Sequence, residues 1–170
     1  MRTKNTKYKQ TEIGEIPEDW EIKRLGGILT EKGYIRGPFG SSLVRNELKS
    51  EGVPVYEQQH IIDSHRNFRY FIDNSKFHEL SRFTVKENDL LVSCSGTLGK
   101  VSIITKDDPI GIISQALLIL RPDTQKILPL LLKYFFTSNL GFGSLSSLSS
   151  GSVQVQKRHH RKSRIATSSD

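Results

Sequence analysis

The feature that most constrains this chain is the stretch 89–104, Asp-Leu-Leu-Val-Ser-Cys-Ser-Gly-Thr-Leu-Gly-Lys-Val-Ser-Ile-Ile. Leu90, Leu91, Val92 and Ser93 suit a buried strand, and Val101, Ile103 and Ile104 suit another. Between them lies a polar, glycine-punctuated loop, Ser95-Gly96-Thr97-Leu98-Gly99-Lys100. Two apolar strands joined by such a loop predict a hairpin. Gly96 and Gly99 permit positive φ, while Ser95, Thr97 and Lys100 put hydroxyls and an ammonium at the tip. That tip can contact phosphate, or it can be an ordinary solvated turn. It is not a nucleotide-binding P-loop, which needs a glycine five residues before the Gly-Lys pair and a Ser or Thr after it. Cys94 and Val101 occupy those positions.

Upstream of the hairpin, Gly14 and Pro17 punctuate a lead-in segment. Trp20 and Ile22 then alternate with Glu21 and Lys23 as in a half-buried strand, and a short helix can follow before Gly33. Residues 33–43 form a second glycine-rich loop in which Gly37-Pro38 and Gly40-Ser41 mark turns. Phe39, beside Arg36 and Ser41, can insert against a base or sugar, or fold back on the core. After the short strand Val53-Pro54-Val55-Tyr56 come Gln58, Gln59 and His60, side-chain types that read purine edges and also populate ordinary surfaces. Arg66 and Arg69 interleave with Phe68, Tyr70 and Phe71, either as an aromatic–basic contact run or as a strand with solvent-facing arginines. Residues 75–83 suit a short helix capped by Asn74 or Ser75, with Phe77, Leu80 and Phe83 as its buried stripe. Residues 107–109 make a turn, 110–120 give one or two buried strands, and 128–138 predict a helix with Pro129 in its first turn. The spacing of Phe142, Leu145 and Leu148 allows a further helix.

The fold class this pattern predicts is α+β: one domain with a curved, mixed β-sheet and flanking helices. A length of 170 residues suits a single domain. The net charge of +7 is misleading about the body, because residues 1–10 and 157–170 each carry +4 and residues 11–156 sum to −1. Nucleic-acid binding must therefore rest on where charges sit. The single cysteine excludes a disulfide framework and reads as a small buried hydrophobe. The five histidines show no zinc-site spacing, so no metal is expected. No apolar run is long enough to span a membrane and no secretory leader is visible, so the expected compartment is the cytoplasm.

Several of these pieces together resemble the target recognition domain of type I restriction–modification specificity subunits. They are Ile13-Gly14-Glu15-Ile16-Pro17 with Asp19-Trp20-Glu21, then Gly37-Pro38-Phe39-Gly40-Ser41, and Asp89-Leu90-Leu91-Val92-Ser93 running into Ser95-Gly96-Thr97-Leu98-Gly99-Lys100. Leu120-Arg121-Pro122-Asp123 and Gly151-Ser152-Val153-Gln154 follow in the family's order. The resemblance implies a non-catalytic module, without cofactor of its own, that reads half of a bipartite double-stranded DNA target. Its partners would be a methyltransferase subunit, which carries the S-adenosylmethionine site, and an ATP-driven restriction–translocase subunit. The candidate DNA-binding residues are Arg36, Phe39, Gly40, Ser41, Gln58, Gln59, His60, Ser95, Thr97, Lys100, Ser152 and Gln154. The contending reading is an interaction or regulatory fragment that docks on the methyltransferase without useful DNA affinity.

The expected organisation is a flexible basic N-terminus over 1–12, the recognition domain over 13–155 and an aberrant or disordered basic tail over 156–170. Where the family would continue with a strand and a heptad-patterned spacer helix, this chain runs into Lys157, Arg158, His159, His160, Arg161 and Lys162. The expectation is that the spacer coiled coil is absent and that the tail reflects a reading-frame change or truncation.

Overall fold

A computed structural model describes residues 7–11, 14–63, 65–95, 97, 99–138, 141 and 164–168. In chain order the strands and helices are β1 (Tyr8–Thr11), β2 (Gly14–Pro17), β3 (Trp20–Arg24), α1 (Leu25–Ile28), β4 (Leu29–Arg36), β5 (Val53–Tyr56) and α2 (Gln58–Ile62). They continue with β6 (Phe71–Ile72), α3 (Asn74–Glu79), β7 (Leu90–Ser93), β8 (Val101–Ile103), β9 (Ile112–Ile113), β10 (Leu117–Pro122), α4 (Pro129–Thr137) and β11 (Arg164–Ser168).

The centre is an antiparallel four-stranded sheet in the order β4-β10-β7-β8. Consecutive apolar residues in β7 and β10 are explained by burial on both faces, since successive side chains in a strand point to opposite sides. Leu90, Val92, Leu118 and Leu120 face one layer, packed with Leu25 and Ile28 of α1 and Leu132 and Phe136 of α4. Leu91, Leu117 and Ile119 face the other, packed with Tyr56, Ile61 and Ile113. Fully burying a side chain of this size contributes roughly 1.5–3 kcal/mol, so these interleaved layers dominate the stability of the domain. Beyond the second layer lies a mixed three-stranded sheet, β6-β5-β9, with β5 antiparallel to β6 and parallel to β9. Val55, Ile72, Leu80 and Ile112 form its own small core.

The mixed α+β class is the one the sequence predicts, with its strands divided among several sheets. The 89–104 hairpin is present, as Leu90↔Ile103 and Val92↔Val101 pair antiparallel. Helix α4 has Pro129 in its first turn, where a missing N–H costs nothing. Helix α3 differs in its cap: the Asp73 carboxylate accepts the Lys76 N–H at 2.8 Å, one residue before the expected Asn74 or Ser75. Four strands lie where none is predicted: β2 occupies the lead-in, β4 runs through Gly33 to Arg36 and so corrects the start of the expected 33–43 loop, and β1 and β11 lie at the two ends. Within residues 1–12, Tyr8–Thr11 pairs with β2, whose Ile16, opposite Lys9, is buried. Within residues 156–170, Arg164–Ser168 pairs with β3, Arg164 opposite Arg24 and Ser168 opposite Trp20. Both pairings use backbone hydrogen bonds, which leave no signature in side-chain pattern. The spaced residues Phe142, Leu145 and Leu148 lie outside the described residues. Among the described residues no helix is long and apolar enough to cross a membrane.

Candidate functional site

The register of the central sheet brings four connecting segments to one edge. Arg36 at the end of β4 pairs with Leu118 near the start of β10, and Ser93 at the end of β7 pairs with Leu117. Residues 37–42, 94–100 and 114–116 therefore leave the sheet on the same side. The parallel pairing of Tyr56 with Ile113 delivers residues 57–59 to that side as well, and the Ser114 N–H donates to the Tyr56 carbonyl at 2.8 Å.

Each segment is held from within. Ser93, fully buried, organises the hairpin tip: its hydroxyl donates to the Thr97 carbonyl at 2.7 Å and accepts the Lys100 N–H at 2.9 Å. Gly99 takes φ +76°, the left-handed turn that lets its N–H reach the Ser93 carbonyl at 3.1 Å. Lys100 and Thr97 are exposed on this tip, as is Ser95. The 37–42 segment crosses 114–116 at Gly37, where a Cβ would sit 2.1 Å from the Ser114 carbonyl oxygen, so only glycine fits. Just beyond, the Arg36 guanidinium stands 5.7 Å from the centre of the Phe39 ring, and Phe39 is 62% exposed. Gly40 and Ser41 follow in a single 3-10 turn. The Gln58 amide donates to the Thr97 carbonyl at 2.9 Å, tying α2 to the hairpin tip.

His60 is the exception among the candidates. It is fully buried, with its ring 4.5 Å from that of Phe68. Nδ1 accepts the Glu57 N–H at 2.8 Å, so the proton sits on Nε2, which donates to the Asn67 carbonyl at 3.1 Å. Burial lowers its pKa, against the pull of the Asn67 carbonyl. The expectation that His60 reads a base edge is corrected: its hydrogen-bonding edges are spent inside the fold, where it fixes the start of α2. Arg66, which donates to the His60 carbonyl at 3.0 Å and pairs with Asp108, braces the same turn from outside.

Beside these segments lies an open cleft of about 370 Å³, lined by Glu57, Gln58, Gln59, Arg69, Ser114 and Ala116 among others. Arg69 donates to both oxygens of Glu57, Nε to Oε2 at 2.9 Å and Nη2 to Oε1 at 2.8 Å. The Ser114 hydroxyl is buried without a hydrogen-bond partner among the described residues. Cys94, at the base of the hairpin loop, is inert packing: burial pushes its thiol up to about 11. Among the described residues no group of three or more His, Cys, Asp or Glu could hold a metal ion.

Arg36, Phe39, Gly40, Ser41, Gln58, Gln59, Ser95, Thr97 and Lys100 thus belong to segments meeting at one edge. Ser152 and Gln154 lie outside the described residues. Sequence reasoning missed Glu57 and Ser114. It noticed Arg69 only within an aromatic–basic run, because its carboxylate partner is twelve residues away and nothing periodic connects them.

Residues 17–165 match the type I restriction modification DNA specificity domain. The putative type I restriction enzyme MjaX specificity subunit of Methanocaldococcus jannaschii is 32% identical over 136 residues, which span 77% of this chain and 31% of that protein. The fold is similar to that of the HsdS subunit from Thermoanaerobacter tengcongensis, with TM-score 0.58, 18% identity, and 83% of this chain and 32% of that chain covered. A chain solved in work on complex assembly and conformational transition of the type I R-M system gives TM-score 0.59 at 18% identity, covering 89% of this chain and 34% of that one. The chain spans about a third of the length of the proteins it matches.

Proposed function

The chain belongs to the type I restriction modification DNA specificity domain family, and on that premise we propose that residues 13–155 form a target recognition domain reading one half of a bipartite duplex DNA target. The observation that carries this reading is the junction of separately predicted loops, sealed by the Gln58 amide on the Thr97 carbonyl and by the Gly37 crossing over Ser114. Phosphate contacts come from Lys100 and the hydroxyls of Ser95, Thr97, Ser41 and Ser152, which position the domain without reading sequence. Base edges are read by Gln58, Gln59 or Gln154, whose amides match the acceptor and donor of adenine. Phe39, exposed and backed by Arg36, supplies an apolar contact to the groove.

The reading assigns the chain no catalysis and no cofactor of its own. It works in the cytoplasm beside a methyltransferase subunit and a restriction–translocase subunit. Docking on the methyltransferase is supported by exposed apolar residues around α4, namely Leu128, Leu130 and Tyr134. The test is Lys100→Ala in duplex-binding titrations at several salt concentrations. Affinity should fall by a similar factor for all sequences, and the salt dependence should flatten by about one released ion. An unchanged salt slope would remove the hairpin tip from the contact surface.

A further inference from the structure

We infer that Arg69, held by Glu57, is a guanine-reading side chain of this face, an inference that rests on the DNA-reading role proposed above. A guanidinium has two edges that each present a pair of parallel N–H donors. Glu57 occupies the edge formed by Nε and Nη2, at 2.9 and 2.8 Å. The end-on edge, Nη1 with the second hydrogen of Nη2, makes no hydrogen bond among the described residues. The Arg69 side chain is 60% exposed, whereas Glu57 is 16% exposed and serves as its fixed mount. The guanidinium also stands 4.7 Å from the centre of the Tyr70 ring, and the Gln59 amide reaches Glu57 Oε2 at 3.5 Å.

A fork restrained on two sides has lost much of its rotamer freedom before it meets a ligand, which favours directional recognition. Its two donors match O6 and N7 of guanine in the major groove, both acceptors, whereas adenine offers one acceptor and one donor there. Phosphate oxygens would accept the same fork, but the local charge argues against them. Glu57 neutralises Arg69, and Asp63 lines the same cleft. What remains is hydrogen-bond geometry rather than attraction to a polyanion. Arg66 cannot take this part, because it is spent on Asp108 and on the His60 carbonyl.

The experiment is selection of duplexes from a randomised pool at low salt by the whole chain and by its Arg69→Lys variant, which keeps the charge and loses the fork. The wild-type chain should enrich a motif containing an obligatory guanine. The variant should keep the rest of the motif and lose discrimination at that base pair by roughly ten- to a hundredfold. Replacing that guanine with 7-deazaguanine, which lacks the N7 acceptor, should weaken wild-type binding by a similar factor and leave the variant unaffected. This arm on the wild-type chain needs no folded variant. Glu57→Gln should blunt preference at the same base pair alone, which marks Glu57 as a positioning residue. A motif unchanged in Arg69→Lys, uniform weakening on every duplex, or indifference of the wild-type chain to 7-deazaguanine would overturn the inference while leaving DNA reading intact. Failure of the wild-type chain to enrich any motif would overturn both.

Discussion

His60 shows how a residue of the right type in the right segment can serve a different end. Its Nδ1 faces an N–H donor, so a second ring proton has nowhere to go without breaking the Glu57 contact. The unfolded imidazole protonates near its ordinary value of 6.5, and burial keeps the folded one below that. Between those two values the unfolded chain binds more protons, so stability falls as pH drops below about 6.5 and is restored above it. Urea unfolding at pH 7.5 and pH 5.5 should show this loss in the wild-type chain and less of it in His60→Gln; identical pH dependence in the two would refute the assignment. Cys94 makes a second residue-scale prediction. With its thiol pushed up to about 11 by burial, it should react with a disulfide reagent at neutral pH only on unfolding. Rapid modification of the native chain would contradict that packing. The burial of Cys94 was legible in the apolar run around it, whereas nothing in the sequence marked the burial of His60.

At the scale of elements, the sequence was legible where side-chain pattern dictates structure and silent where backbone pairing does. β7, β8, β10 and α4 announce themselves through apolar runs that two covered faces demand. β1 and β11 are polar and are held by pairing with β2 and β3, so nothing in their composition marks them. The five-residue helix α2 is too short to display a helical period, which is why Gln58, Gln59 and His60 looked like equivalent loop residues. The helix separates them: His60 is buried, while Gln58 and Gln59 are only half-buried. The hairpin tip turns on Ser93, a strand-end serine that reads from sequence as one more small residue. Ser93→Ala would strand the Lys100 N–H, whose acceptor is that hydroxyl, and would leave the Thr97 carbonyl with the Gln58 amide alone. Losing such a buried partner costs about 1–3 kcal/mol, so chemical unfolding should report a loss of that size together with faster amide exchange at Lys100. A neutral substitution with unchanged exchange would mean that Gly99 and Lys100 hold the tip unaided.

For the whole molecule, the proposed face is a consequence of topology. Antiparallel pairing of β10 with both β4 and β7, and parallel pairing of β9 with β5, brings connections that are far apart in sequence to one edge. No local motif encodes that convergence. Charge fits the same account. The surplus of basic residues lies in the first ten and last fourteen positions, and the body sums to −1. Affinity from the face must therefore be modest and directional, and a single module reading half a target is expected to bind weakly at physiological salt. Hydrogen–deuterium exchange of the chain with and without duplex DNA at low salt tests the claim most directly. Protection should appear together in residues 36–42, 57–60, 95–100 and 114–116, and leave α3 and β1 unchanged. Protection confined to the basic residues 1–10 and 157–170, with those four segments indifferent to DNA, would contradict it.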